Sequence, residues 1–237
     1  MQLSESTVDV LRNFSGINQN LMIKSGSSIK TFSEAKNVVA TADIAESFEK
    51  DFGIYDLNEF IGVMGLVNNP DLKFENDYVI VQDESGRSKV KYFYAAEETV
   101  TTPTKEVTMP EPDVKFTLDN DTLNKLKKAA STLGHDELSI SAKDGVLSLS
   151  IVENQNATSN AFSIDIDGEF RQDAVFNFII KISNLKILAG DYDVEISSRL
   201  ITQFRHKEVG VKYWIALEKT STYGAWHVRK FEAIKRP

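Results

Sequence analysis

Residues 3–18 read LSESTVDVLRNFSGIN, and residues 118–133 read LDNDTLNKLKKAASTL. In both stretches a leucine precedes a residue that can cap a helix, and a threonine follows three positions after that cap. Val8 matches Leu123 and Leu11 matches Leu126, each at an offset of 115 residues. Apolar residues at this spacing predict a short amphipathic helix in each stretch. A pattern that returns in this way indicates an internal duplication, which bears on the fold more than any single motif does.

Strand-like runs follow each predicted helix, with the alternation of apolar and polar residues that is typical of strands. The runs of the first half are NLMIKS, SIKTF, NVVATADI, LKFEN, YVIVQD and KVKYFYA, and those of the second half are ELSISA, VLSLSIV, AFSIDID, YDVEISS, LITQF and KYWIALEK. The pair Asp144 and Gly145 predicts a tight hairpin turn. A second helix is predicted in each half, within residues 54–69 and 179–190. Both halves therefore repeat the order helix, hairpins, helix, hairpins.

The stretch IYDLNEFIGVMGLVNN, residues 54–69, predicts a helix with one bare face. Asp56 can cap it. Its apolar positions fill one side, at Leu57, Phe60, Ile61, Met64 and Val67. The other side is a stripe of small or amide residues, Asn58, Gly62, Gly65 and Asn69. Each glycine inside a helix costs about 1 kcal/mol relative to alanine, so the stripe needs a reason.

A proline-rich stretch divides the chain. Residues 97–114, EETVTTPTKEVTMPEPDV, hold three of the five prolines. Proline removes a backbone donor and fixes φ, which favours an extended linker. We predict an α+β protein of two similar domains, residues 1–98 and 114–237, joined by a linker over residues 99–113.

Composition excludes several classes of protein. No stretch approaches the ~18 consecutive apolar residues of a membrane span, and the first residues, MQLSESTVDV, lack the pattern of a signal peptide. The absence of cysteine excludes disulfides and cysteine-ligated zinc, and is typical of a reducing cytoplasm. The net charge of −8 does not favour nucleic-acid binding over the whole surface, because phosphates attract Lys and Arg. That charge is uneven, since residues 1–105 carry −6 and residues 106–237 carry −2.

Catalytic motifs are missing from the sequence. It has no GxxxxGK[ST] phosphate loop and no credible set of nucleophile, base and orienting residue. Two aspartate pairs, Asp165 with Asp167 and Asp191 with Asp193, could bind Mg²⁺ in a metal-dependent nuclease, or simply lie at solvated strand ends and turns. We expect neither an enzyme nor a cofactor.

Lysines cluster on the predicted helices of the second half. Lys125 and Lys128 lie opposite the core stripe of residues 118–133, with Lys127 on the flank, and the second helix adds Lys181 and Lys186. These side chains either form a basic surface or belong to an ordinary solvated face. The matching helix of the first half has only Arg12 as a basic residue on its exposed side.

Four stretches of the chain resemble one known family. They are NFSGINQNLMIKSG (13–26), FGIYDLNEFIGVMGLVNN (52–69), FNFIIKISNLKILAGDYDVEI (176–196) and YWIALE (213–218). In order and in detail they resemble the sliding clamps of T-even-type bacteriophages, the processivity factors of phage DNA polymerases. The resemblance runs from Leu3 to about Leu217.

The resemblance implies a homotrimeric ring around duplex DNA. Antiparallel sheets would form the outside of the ring, and short helices would line its hole. Contacts to DNA would then be to phosphate, without base readout. By position, the DNA-facing residues would be Arg12, Lys125, Lys127, Lys128, Lys181 and Lys186. The stripe of residues 54–69 would face either the hole or a neighbouring inner helix.

The resemblance also implies partners in the host cytoplasm. They are the phage DNA polymerase, a separate ATP-dependent clamp loader and late-transcription factors. Such partners insert a short hydrophobic peptide near the interdomain linker. The candidate pocket residues are Val107, Met109, Pro110, Tyr213 and Trp214.

Exposed strand edges predict how the subunits pair, and the C-terminal residues form a separate feature of the chain. Because unpaired edges invite strand addition, we expect subunits to pair KVKYFY with AFSIDI. The side chains concerned are Val90, Tyr92, Tyr94, Phe162 and Ile164. Residues 221–237, STYGAWHVRKFEAIKRP, extend past the usual end of such clamps. They could add a strand to the last sheet, form a partner-binding arm or be disordered, and their aromatic residues favour an ordered extension. The alternative to a clamp is a β-rich phage structural protein with duplicated domains.

Overall fold

The computed structural model describes residues 1–101, 103, 106–153 and 158–225. In the first half the helices are α1 (Glu5–Ser15) and α2 (Leu57–Met64). The strands of this half are β1 (Leu21–Ile23), β2 (Gly26–Phe32), β3 (Val38–Phe48), β4 (Phe52–Ile54), β5 (Asp71–Phe74), β6 (Tyr78–Gln82) and β7 (Lys89–Phe93). A 3-10 turn at Glu97–Thr99 precedes most of the predicted linker.

The second half contains one α-helix, α3 (Asn120–Leu133), and a 3-10 turn at Ile182–Asn184. Its strands are β8 (Val114–Leu118), β9 (Glu137–Lys143), β10 (Val146–Val152), β11 (Phe162–Ile166), β12 (Gly168–Phe170), β13 (Ala174–Lys181), β14 (Tyr192–Ser197), β15 (Ile201–His206), β16 (Val211–Ala216) and β17 (Thr222–Ala225). All twelve strand-like runs of the sequence coincide with strands. The domain boundaries themselves stay a prediction.

Equivalent side chains cap the two duplicated helices. The hydroxyl of Ser4 accepts a hydrogen bond from the backbone N–H of Thr7 at 3.3 Å, and the carboxylate of Asp119 accepts one from Thr122 at 2.7 Å. Asp56 caps α2 in the same way. Such caps satisfy backbone donors that have no partner inside the helix. The correspondence predicted between the two stretches is therefore confirmed at the atoms that start each helix.

The strands form antiparallel sheets with the predicted α+β character. Their orders are β1-β4, β5-β6-β7, β11-β10-β9-β13-β17 and β12-β8-β14-β15-β16-β3-β2. Asp144 and Gly145 have φ of 52° and 81° and make the predicted two-residue turn between β9 and β10. Helix α1 packs on β3 and on α2, and α3 packs on β10 and β11. None of the helices in the described residues is long and apolar enough to cross a membrane.

One sheet joins the two halves of the chain. In the seven-stranded sheet β16 pairs with β3, from Val211 opposite Ala42 to Ile215 opposite Val38. This pairing between strands of different halves was not predicted from the sequence. The pairing joins the second half to the first through backbone hydrogen bonds in addition to the linker.

The second helix predicted for residues 179–190 is wrong. Phe176, Phe178 and Ile180 alternate along β13, are buried, and belong to a strand that pairs with β9. β-Branched and aromatic residues favour such a half-buried strand. Only the single 3-10 turn at Ile182–Asn184 separates β13 from the loop before β14. Lys181 ends a strand and Lys186 lies in a loop, so neither is on a helix.

Helix α2 is also shorter than predicted. Gly65 is its C-cap, and Asn69 has a left-handed φ of 49° before Pro70. The helix has thus ended before Asn69, and because a residue before proline is disfavoured in the α-conformation, it does not resume there. The stripe therefore does not run down one helix: only Asn58 and Gly62 lie within α2. A Cβ on Gly62 would meet nothing within 4 Å, so no neighbouring helix of the same protomer packs there.

The C-terminal residues begin as an ordered extension. β17 adds a strand to the edge of β13. Residues 222–225 therefore form an added strand, and the extension predicted for residues 221–237 as a whole stays a prediction. Trp226 and Phe231 lie outside the described residues.

Candidate functional site

Two of the predicted DNA-facing lysines lie on the exposed face of α3. Lys125 and Lys128 are both exposed, opposite the buried Leu123 and Leu126. Lys127 lies on the flank and is half-buried, and its burial lowers the pKa of its ammonium group. The helical periodicity of the sequence therefore assigned these side chains to the correct sides of the helix.

Lys186 lies beside the first helix of the chain. The side-chain amide of Asn13 donates to the carbonyl of Lys186 at 3.1 Å. The hydroxyl of Tyr213 donates to the side-chain oxygen of Asn13 at 2.7 Å and accepts from the backbone N–H of Leu188 at 3.2 Å. These bonds hold the loop of the exposed Lys186 against α1 of the first half. Asn13 was not among the predicted site residues, and its position in the sequence carries no signal for this role.

Lys181 is in a different setting from the other lysines. Its ammonium lies 3.0 Å from Glu137 and 3.8 Å from Asp136. The hydrogen bond that Lys181 donates to the Glu137 carboxylate is the main cause that raises the pKa of Lys181. Because these carboxylates neutralise it locally, Lys181 contributes less to the attraction of phosphates than an unpaired lysine would.

The helices of the first half present more acidic than basic groups. Arg12 is exposed but its guanidinium lies 2.9 Å from the Asp9 carboxylate. Glu5 on α1 and Glu59 on α2 are exposed as well. The cationic side chains of the three helices are therefore concentrated on α3 in the second half.

The linker forms a groove with one face of the seven-stranded sheet. The groove has a volume of about 300 Å³ and is lined by Ser28, Lys30, Val39, Thr41, Asp43, Pro103, Glu106, Val107, Lys212 and Trp214. An ion pair of 3.1 Å between Lys30 and Glu106 ties the linker to β2. Helix α1 packs on β3 of this sheet, and its Val10 and Leu11 are buried.

Two of the five predicted pocket residues meet in this groove. They are Val107 and Trp214. The indole nitrogen of Trp214 is buried without a hydrogen-bond partner among the described residues. Tyr213 is fully buried on the other face, because successive residues of a strand point to opposite sides of the sheet. Met109 and Pro110 are half-buried and do not line the groove.

Strand β7 is an open edge with an aromatic side chain on its exposed face. It ends the sheet β5-β6-β7. Tyr92 points into the core, with its ring 5.2 Å from Phe60 and 9% of its surface exposed. Phe93 is 62% exposed, and the ammonium of Lys91 lies 4.7 Å from its ring. Phe93 was not among the predicted interface residues, although the alternation of KVKYFY places it on the exposed side of the strand.

The other two side chains proposed for this edge are only partly available. Val90 is half-buried. The hydroxyl of Tyr94 donates to the carbonyl of Glu75 at 3.2 Å, and burial raises its pKa to about 12. Like Tyr92, Val90 and Tyr94 lie on the side of the strand that faces the core.

Strand β11 is another edge strand, and an apolar groove lies beside it. It ends the five-stranded sheet on the side away from β17. Phe162 and Ile164 are half-buried at this edge. A groove of about 350 Å³ lies between β11 and α3, lined by Lys125, Lys128, Ala129, Thr132, Leu133, Ala161 and Phe162. The groove thus joins an apolar floor to two lysines.

The aspartate pairs have partners other than each other. Asp165 accepts a hydrogen bond from the Ser148 hydroxyl, and Asp191 accepts one from the backbone N–H of Asn120 at 2.8 Å. Asp193 lies 3.0 Å from Arg205. Within the described part of the chain, no group of three or more His, Asp or Glu side chains could hold a metal ion.

Family models match both halves of the chain. The model of a DNA polymerase processivity factor matches residues 4–101, and that of the gp45 sliding clamp, C terminal, matches residues 115–219. The sliding clamp of Vibrio phage KVP40 is 34% identical over 223 residues, which cover 92% of this chain and 99% of that protein. The sliding clamp of Enterobacteria phage T4 is 30% identical over 240 residues, with coverage of 94% and 99%.

Solved structures share the fold at low sequence identity. The proliferating cellular nuclear antigen of Entamoeba histolytica matches with a TM-score of 0.65 and 14% identity, over 90% of this chain and 94% of that one. A structure of the C-terminal region of FEN-1 bound to A. fulgidus PCNA matches with a TM-score of 0.69 and 13% identity, over 92% and 96%.

Proposed function

The chain belongs to the phage sliding clamps, the non-enzymatic processivity factors of DNA polymerases, and we propose that three copies close head to tail around duplex DNA in the host cytoplasm. The observation that carries this proposal is the match to a sliding clamp over 92% of the chain. The ring would hold DNA by enclosure, so that it slides while tethering the phage polymerase.

The open edges support ring closure. In the proposal β7 of one copy pairs with β11 of the next, which leaves no unpaired edge in these two sheets at the contact. Because the two edges are different surfaces, the interface is heterologous, and repetition closes a ring when the rotation allows it. Phe93 would then lie near the apolar groove of Ala129, Leu133 and Phe162 on the neighbouring copy.

The distribution of lysines supports a loose grip on DNA. Lys125, Lys128 and Lys186 would contact phosphates, with Arg12 and Lys127 adding to their field and the paired Lys181 adding less. Acidic groups on α1 and α2 would offset this attraction on the first-half side of the bore. A weak field without base contacts favours sliding over fixed binding.

The linker groove supports docking of partner peptides. The related fold of A. fulgidus PCNA is recorded with a C-terminal region of FEN-1 bound. In this chain an extended hydrophobic segment would lie over Val107 and Trp214. The phage polymerase, an ATP-dependent clamp loader and late-transcription factors are the partners that we propose for it.

Primer extension by the polymerase with its loader tests the proposal. Long products should require the clamp. The double variant Lys125→Ala and Lys128→Ala should lose phosphate contacts, and each lost contact reduces the slope of log affinity against log salt concentration by about 0.9. Because binding is then weaker at working salt concentrations, processive synthesis should fail at a lower salt concentration than in the wild type. The control is Lys73→Ala with Lys143→Ala, two exposed lysines that lie on strands. Equal salt dependence of the two double variants would argue against DNA-facing lysines on α3.

A further inference from the structure

The last described strand lies outside the part of the chain that the family model matches. That model ends at residue 219, and β17 covers Thr222–Ala225. β17 pairs with β13 through four register partners, among them Phe176 opposite Tyr223 and Val175 opposite Gly224. Without β17, the β13 edge would present unpaired backbone groups to solvent.

A short turn delivers β17 to this edge. The backbone N–H of Glu218 donates to the carbonyl of Ile179 at 2.8 Å, and the Ser221 hydroxyl accepts from the N–H of Ile179 at 2.9 Å. These contacts fix the point at which the chain leaves the seven-stranded sheet and enters the five-stranded one. The strand that follows is held by its own pairing and by one aromatic side chain.

Tyr223 is the anchor of the strand. Its ring stacks on Phe178 at 5.9 Å and 12°, and on Phe176 at 6.3 Å and 28°. Phe176 and Phe178 are 3% and 1% exposed in the presence of this ring. The β13 edge therefore combines backbone pairing with an aromatic platform, which are the two components of strand-addition sites.

Gly224 is the weak position of the strand. It lies opposite Val175, which stays 47% exposed because glycine has no side chain to cover it. A Cβ on Gly224 would meet nothing within 4 Å. Glycine in a strand also loses more conformational freedom on folding than other residues do. A strand with a β-branched residue at this position would cover Val175 and fit the edge better than the chain's own residues.

We propose that the β13 edge is a binding site for an extended peptide with an aromatic residue followed by a β-branched one, and that residues 222–225 occupy this site in cis. The site is distinct from the helices, the linker groove and the two edges assigned to ring closure. If the β13 edge does not bind such a peptide, the proposed ring is therefore unaffected.

Two opposite variants of the full chain test the proposal. Tyr223→Ala removes the anchor and opens the edge, whereas Gly224→Val covers Val175 and closes it. The probe is a fluorescent peptide, Thr-Ser-Thr-Tyr-Val-Ala, followed by anisotropy. It should bind the Tyr223→Ala chain at least about tenfold more tightly than the wild type, and the Gly224→Val chain at least about tenfold more weakly.

A peptide with alanine in place of tyrosine is the control and should not bind. Hydrogen exchange of the β13 amides should be faster in Tyr223→Ala and slower in Gly224→Val, which reports the opening without any peptide. Equal affinity of the three chains for the probe would overturn the proposal, as would the absence of binding to Tyr223→Ala or equal binding of the alanine peptide.

Discussion

Replacing Phe93 by Glu should convert the proposed trimer into monomers that keep the protomer fold. Phe93 is 62% exposed in the protomer, so its removal costs the isolated subunit little. In the ring its aromatic surface would be buried at the junction of β7 and β11. Loss of an aromatic anchor at an interface typically costs at least about 2 kcal/mol, or about 30-fold in the dissociation constant. A buried carboxylate would add to this cost.

Light scattering at several protein concentrations measures this change, with circular dichroism to follow the fold. The matched control is Val146→Glu, because Val146 is also exposed, at 45%, but lies at the β9–β10 turn. We expect the control to remain trimeric. A Phe93→Glu chain that is as trimeric as the wild type would mean that β7 is not a subunit edge.

Replacing Tyr213 by Ala will reduce the free energy of unfolding by about 3–5 kcal/mol, the range for truncation of a buried aromatic side chain. Tyr213 is fully buried, and its hydroxyl links Asn13 of α1 to the Leu188 backbone. Tyr213→Phe keeps the ring but leaves these polar groups without that partner, which should cost about 1–3 kcal/mol. Chemical denaturation at a fixed protein concentration gives both values.

Tyr55→Phe is the control, since Tyr55 is 65% exposed and the change should lie within about 0.5 kcal/mol of the wild type. Burial also raises the pKa of Tyr213 and of Tyr192 above the ordinary value of 10.0. Their neutral forms are therefore favoured in the folded state. This contribution to stability is complete below pH 10 and is lost as the pH rises above it. The free energy of unfolding should therefore fall less steeply above pH 10 in Tyr213→Phe than in the wild type. Equal stability of Tyr213→Phe and Tyr55→Phe would contradict the linking role.

Local signals in the sequence predicted the helix starts and most of the strands. Ser4, Asp56 and Asp119 are short polar residues before apolar periods, and such caps depend only on their immediate neighbours. The Asp144–Gly145 turn is local in the same sense. The contacts that depend on distant partners were not predictable. The pairing of β16 with β3 joins residues far apart in the chain, and nothing in either strand specifies the other.

The candidate site divides in the same way. The sides of α3 that carry Lys125 and Lys128 follow from helical periodicity. The neutralisation of Lys181 depends on its cross-strand partner Glu137, which requires the register of β13 on β9. The prediction that Tyr213 and Trp214 line one pocket fails for another reason. Successive residues of a strand point to opposite faces of a sheet, so the sequence alone excludes one of them.

Enclosure of DNA by the ring is tested most directly by measuring how long the loaded protein stays on DNA of different topology. The clamp is loaded by its ATP-dependent loader on nicked circular DNA, and the DNA is then cut once or left intact before gel filtration. Enclosure predicts that the protein stays with the circle, leaves the linear form, and stays again when the linear ends are blocked by bound protein. Equal retention on circular and open linear DNA would contradict enclosure of the DNA by a closed ring.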